Sequence, residues 1–124
     1  MPVITAPRQP THELGGTTFT SLATPSRGSR RTSVWEVSIA PGETPTPHRM
    51  TDEEVFVVLE GAAAVTLGSE VTEAQVGDAV VVPSGVEFSL ANAGAGPLRL
   101  LCCLPVGGQA QLADGEPFTP PWAM

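Results

Sequence analysis

The chain holds two histidines, His12 and His48, and the second is followed within six residues by the acidic run Asp52-Glu53-Glu54. An imidazole beside a carboxylate can divide proton transfer between base and acid, or the two can ligate a transition metal. Side chains on a strand repeat with period two, so His48 and Met50 share a face and Arg49 between them points away. If the shared face is the interior, imidazole and thioether meet there, a pairing that suits a soft ion such as copper(I). A hard magnesium or calcium ion asks for several oxygens. Alternation from an exposed Arg99 puts Leu98, Leu100 and Cys102 on the inner side, which makes Cys102 a candidate third soft ligand. Methionine and cysteine are more often core packing than ligands, and an acidic run is most often a solvated turn. The cluster Arg27, Arg30 and Arg31 sits in a Ser- and Gly-rich stretch and reads as a surface loop that could attract an anion.

These side chains need a scaffold, and the punctuation of the chain says which. From Thr17 onward Gly or Pro breaks the sequence every six to ten residues, and the pieces between are rich in Val, Thr, Leu and Phe. Strands are expected at 17–22, 33–40, 54–60, 62–67, 80–82, 86–91 and 98–104, the pattern of an all-β sandwich or barrel with little helix. In the second piece Trp35, Val37 and Ile39 alternate with Glu36 and Ser38, so one face is buried and one wet. Phe56, Val58 and Phe88 are expected to face inward with them. Residues 17–106 form the barrel on this reading. The Pro- and Gly-rich stretches 1–16 and 107–124 are expected to run as arms over it or over a neighbouring subunit.

With 124 residues and 12.8 kDa, the chain is one domain that buries about two thirds of its unfolded surface. Thirteen acidic side chains against six basic ones, all arginine, give a net charge of -7 and a pI near 4.6. That balance repels phosphate backbones and anionic lipid, so neither nucleic acid nor a membrane surface is expected as a partner. The absence of lysine excludes Schiff-base chemistry, a P-loop and pyridoxal phosphate attachment. Cys102 and Cys103 are adjacent and point to opposite faces, so no disulfide framework is expected. The start of the chain lacks a leader pattern and its longest apolar stretch, 100–106, is too short for a bilayer, which makes the cytoplasm the expected location. Val57, Leu59 and Leu101 fall on the outer face, and with open sheet edges they lead us to expect a homodimer. Nothing matches GxSxG, HExxH, CxxC or GxGxxG.

Around Gly42 the chain reads PGETPTPHRMTDEEVFVVLEG, and thirty residues on it reads GDAVVVPSGVEFSLAN. These segments resemble the two signature motifs of the cupin superfamily. Gly42, His48, Glu54 and Gly61 meet the first pattern, G(X)5HXH(X)3,4E(X)6G. Gly77, Pro83, Gly85 and Asn92 meet the second, G(X)5PXG(X)2H(X)3N. The resemblance covers 42–92 and implies a double-stranded β-helix, the jelly-roll barrel. It also implies a metal held by three histidines and one glutamate, and here the chain departs from the family: Met50 stands at the second histidine and Phe88 at the third. Carried over residue by residue, the implied ligands are His48 and Glu54 with Met50 as a third, for copper, zinc or iron. A site with two histidines and one carboxylate needs His12 to reach the barrel mouth. The implied pocket is Trp35, Met50, Phe56, Phe88 and Cys102.

Three functions follow. One is a metal-assisted enzyme of isomerase, cyclase, decarboxylase or dioxygenase type acting on a small organic molecule, with His48 and Glu54 as metal ligands or as an acid–base pair. The second is a metal-free binding or regulatory module, since Met50 and Phe88 turn a polar site apolar. The third is a structural subunit with a filled barrel, against which a retained carboxylate and imidazole argue. The reading adopted is a small-molecule-binding cupin.

Overall fold

Alternating apolar residues bounded by Gly and Pro build an almost entirely β molecule. A computed structural model describes residues 2–124 of the chain. In chain order its strands are β1 (His12–Leu14), β2 (Thr17–Ala23), β3 (Thr32–Ile39), β4 (Arg49–Met50), β5 (Glu54–Glu60), β6 (Ala63–Leu67), β7 (Glu70–Ala74), β8 (Ala79–Val82), β9 (Phe88–Asn92), β10 (Leu98–Pro105) and β11 (Ala110–Gln111). Two 3-10 turns, at Pro25–Arg27 and Pro121–Ala123, are the only helix among the described residues.

One sheet runs β1-β2-β3-β10-β5-β8 and every neighbouring pair in it is antiparallel. The facing layer is β7-β6-β9, and the bridge between His48 and Phe88 extends it to the pair β4-β11. The layers close as a jelly roll around Trp35, Phe56, Val58, Val65, Phe88, Leu98, Leu100 and Leu104, all buried. Val37 and Met50 are buried with them, and Ile39 packs half-buried against the cluster. Wet positions of the larger sheet carry charge: Arg99 pairs with Glu36 at 2.6 Å and with Glu60 at 3.4 Å across three strands. Exposed pairs of this kind contribute about 0.2–1 kcal/mol each, so burial and not charge holds the sheet.

The seven expected strands all form, with ends shifted by one or two residues. The β7 strand went unread because its sequence, EVTEA, is polar and four of its five residues are exposed on an edge. Both terminal stretches carry strands. β1 pairs with β2, and β11 pairs with β4 through Ala110 and Met50. The last residues are stitched onto this chain's own barrel, where Ser21 Oγ donates to Trp122 O at 2.7 Å and Ser33 Oγ to Ala123 O at 2.9 Å. At the end of β5, Gly61 takes φ 83°, and a Cβ there would stand 2.6 Å from the Pro97 carbonyl oxygen, so conformation and crowding both select glycine. Asn92 ties the end of β9 to the neighbouring layer, its Nδ2 donating to Ile39 O at 3.0 Å and Gly96 O at 2.8 Å.

Candidate functional site

Between the layers lies a cavity of about 700 Å³. Its walls are aromatic: Phe19 on β2, Trp35 on β3, Phe56 on β5, Phe88 on β9 and Trp122 from the C-terminal turn. Trp122 stacks on Phe19 with ring centres 3.6 Å apart and 7° between planes, and Phe56 meets Phe88 at 5.8 Å. Met50, Leu90, Leu100 and Phe118 add aliphatic and aromatic surface.

Glu54 opens β5, and its pairing with Val82 sets its side chain on the inner face. It is 3% exposed and borders the cavity. Among the described residues no hydrogen bond or ion pair reaches its carboxyl group. Burial alone raises its pKa from 4.5 to about 8, because a low-dielectric wall penalises the charged form. At neutral pH this group is mostly a carboxylic acid, able to donate a proton.

His48 borders the same cavity, held by reciprocal backbone hydrogen bonds with Phe88 of 3.0 and 2.9 Å. Its ring packs on the Phe88 ring at 4.4 Å. Its Nδ1 lies 2.8 Å from Thr46 O. A carbonyl only accepts, so Nδ1 carries a proton here and Nε2 is the nitrogen left to accept one. Met50 is buried on the same face, and Arg49 is exposed and pairs with Glu87 at 3.6 Å.

Two of the candidates expected from the sequence, Cys102 and His12, do not complete a ligand set. Cys102 is fully buried between Trp35 and Phe56 in the register, but it is not part of the cavity wall. Burial, with Glu54 nearby, pushes its thiol well up, which disfavours the thiolate a metal needs. His12 does reach the cavity rim, where Nδ1 meets Thr11 Oγ1 at 2.8 Å and the ring stands edge-on to Trp122 at 6.4 Å. Yet no three His, Cys, Asp or Glu side chains among the described residues come together as an ion-holding group. The four family ligand positions thus carry an imidazole, a thioether, a carboxyl that favours its proton and a phenyl ring. That donor set does not fit the divalent ion of the family pattern, whether copper, zinc or iron is considered. The Arg27, Arg30 and Arg31 loop lies away from the cavity, with Arg27 spent on the carbonyls of Leu22 and Thr5.

Sequence reasoning missed Phe19, Trp122, Glu13 and Glu43 as cavity residues. Phe19 shares a face of its strand with Thr17 and Ser21 and alternates with Thr18 and Thr20, so its side of the sheet was findable by period. Trp122, an aromatic residue in a Pro-rich tail, signalled burial but not its partner.

A protein-family model described as "Cupin domain" matches residues 35–104. An uncharacterized protein of Methanocaldococcus jannaschii is 38% identical over 53 residues, a stretch that is 43% of this chain and 42% of that protein. The match therefore spans under half the length of this curated relative. Among solved structures, the polyketide cyclase RemF of Streptomyces resistomycificus superposes with a TM-score of 0.71 at 23% identity, over 91% of this chain and 82% of that one. Salicylate 1,2-dioxygenase of Pseudoaminobacter salicylatoxidans, in a structure with gentisate adducts, gives 0.69 at 24% identity over 86% of this chain and 31% of that one. KdgF of a Halomonas species gives 0.68 at 20% identity over 79% and 86%. At these identities the likeness is one of fold.

Proposed function

The chain belongs to the cupin domain family, and we propose that its barrel encloses a small aromatic molecule and moves protons on it without a metal. The observation that carries this reading is Glu54, a nearly fully buried residue whose carboxyl group has no protein partner among the described residues and opens onto an aromatic cavity. Burying such a group unpaired is costly, and a perturbed acid in a cleft is the usual signature of a site. In this reading the Glu54 carboxylic acid donates a proton to an oxygen of the ligand, and His48 Nε2 accepts one from a neighbouring C–H or O–H. The ligand keeps its formula, as in an isomerisation or cyclisation, and exchange between the two groups and water resets the pair. The names of two structural neighbours, a polyketide cyclase and a salicylate dioxygenase, are in keeping with a planar ligand.

The test uses protein purified in chelator and a neutral aryl ketone in deuterated buffer. The expected result is saturable quenching of tryptophan fluorescence and chelator-insensitive deuterium exchange beside the carbonyl, lost by about 10²-fold or more in Glu54→Gln and in His48→Ala. Binding without exchange would return the protein to the second reading, a binding module, which the apolar Met50 and Phe88 favour.

For assembly we propose a homodimer. Val57 and Leu101 are half-buried, and Leu59 and Val81 are 37% and 50% exposed on the outer face. Covering them fits a light-scattering mass near twice 12.8 kDa at micromolar concentration; a mass of one chain overturns it. Both cysteines are free, in keeping with the reducing cytoplasm as the place of work. Among the described residues no helix is long and apolar enough to cross a membrane.

A further inference from the structure

The charges around the cavity are of one sign. Glu13 and Glu43 border it, together with the protonated Glu54 and the imidazoles of His12 and His48, and none of the six arginines does. The arginines are engaged or placed elsewhere: Arg49 faces Glu87, Arg99 bridges Glu36 and Glu60, and Arg27 binds main-chain carbonyls. The carboxylates of Glu13 and Glu43 meet no cation among the described residues. Glu43 lies against Gly16. A Cβ at Gly16 would overlap its Oε1 and come within 2.7 Å of its Cδ, so the bare glycine after β1 is what lets this carboxylate lie across the hairpin at the mouth. Inside, Trp35, Phe88 and the Phe19–Trp122 stack line the cavity, and the faces of such rings carry π-electron density.

Resting on the reading of the barrel as an aromatic-ligand site, we propose that the ligand is an arylalkyl amine, bound as a cation with its charge toward Glu13 and Glu43 and its ring between the aromatic walls. A protonated amine is attracted by both the carboxylates and the ring faces. A carboxylate or phosphate ester of the same shape is repelled by Glu13 and Glu43 and finds no guanidinium or ammonium to pair with. The specificity is therefore built in part against anions.

Three probes of one shape separate the terms: tryptamine, its neutral alcohol tryptophol, and indole-3-acetate, titrated calorimetrically at pH 7 and low salt. Tryptamine is expected to bind about tenfold or more tighter than tryptophol, and indole-3-acetate weakest. The amine's advantage should shrink in 0.5 M salt. In the Glu13→Gln, Glu43→Gln double variant it should fall to about twofold or less while tryptophol affinity holds. Gly16→Ala, which displaces the Glu43 carboxyl, should lose part of the advantage in the same way. Tryptophol binding with no amine preference, or a preference that survives the double variant, overturns the charge assignment alone. Failure of all three probes to bind at millimolar concentration overturns it together with the aromatic-site reading.

Discussion

Between pH 5 and pH 8 the protein is expected to lose about 2–3 kcal/mol of folding stability, and Glu54→Gln is expected to remove most of that loss. Glu54 holds its proton to about pH 8 in the folded chain, against an ordinary value of 4.5. Below 4.5 both folded and unfolded states carry the proton and the group contributes no pH dependence. Between 4.5 and 8 the unfolded chain has lost the proton and the folded chain has kept it. Folding then takes up a proton, and stability falls as pH rises. Above 8 both states are ionised and the loss levels off. A separation of about 3.5 pH units at roughly 1.4 kcal/mol each sets an upper bound near 5 kcal/mol, reduced by whatever water the cavity admits to an ionised carboxylate. Cys102 has the same sign but acts at higher pH, since its thiol starts from 9.0 and is pushed further up. Urea unfolding at pH 5, 7 and 8.5 measures the effect. A wild-type profile flat across this range, or a slope that persists in Glu54→Gln, sinks the assignment of Glu54 as a buried, unpaired acid.

How much of this was legible in the sequence differs by residue, and the differences have physical causes. Gly61 was readable as a corner because only glycine takes φ 83° without strain, so its position announces its geometry. The inward set Trp35, Val37, Phe56 and Phe88 was readable because a period of two has one meaning on a sheet. Cys102 shows the limit of that rule. Alternation tells which side of the sheet a residue occupies but not whether that spot borders the cavity or solid core, and Cys102 belongs to the core. The cavity's outer wall was illegible for another reason. Trp122 closes on Phe19, and the Ser21 to Trp122 hydrogen bond joins residues 101 apart, a pairing no local pattern encodes. The spacing of the first motif picked out Glu54 from its acidic neighbours. Its isolation from every cation depends on where six arginines end up, which only the fold decides.

Restoring the family's missing imidazoles by Met50→His and Phe88→His is expected to raise zinc affinity by roughly three orders of magnitude or more, from weak or substoichiometric binding in the wild type. Met50 and Phe88 are 3% and 1% exposed, both border the cavity, and the Phe88 ring already stands 4.4 Å from the His48 ring. The substitutions therefore place new donors beside an existing one on strands the backbone bridge holds together. Removing the Phe88 ring costs packing, about 1–4 kcal/mol, so the double variant without zinc should unfold at lower denaturant than the wild type. Zinc at a hundred times its Kd would return about 2.7 kcal/mol. The bound cation should also draw the proton from Glu54, so uptake releases a proton and affinity climbs with pH. Adding Glu54→Gln to the double variant should abolish that release and much of the affinity. Chelator competition measures the affinity, and calorimetry in buffers of different ionisation enthalpy counts the proton. No gain in the double variant would show that positions 50 and 88 do not converge with His48. One tight zinc per wild-type chain that survives both His48→Ala and Glu54→Gln would place the chain's metal chemistry outside this barrel altogether.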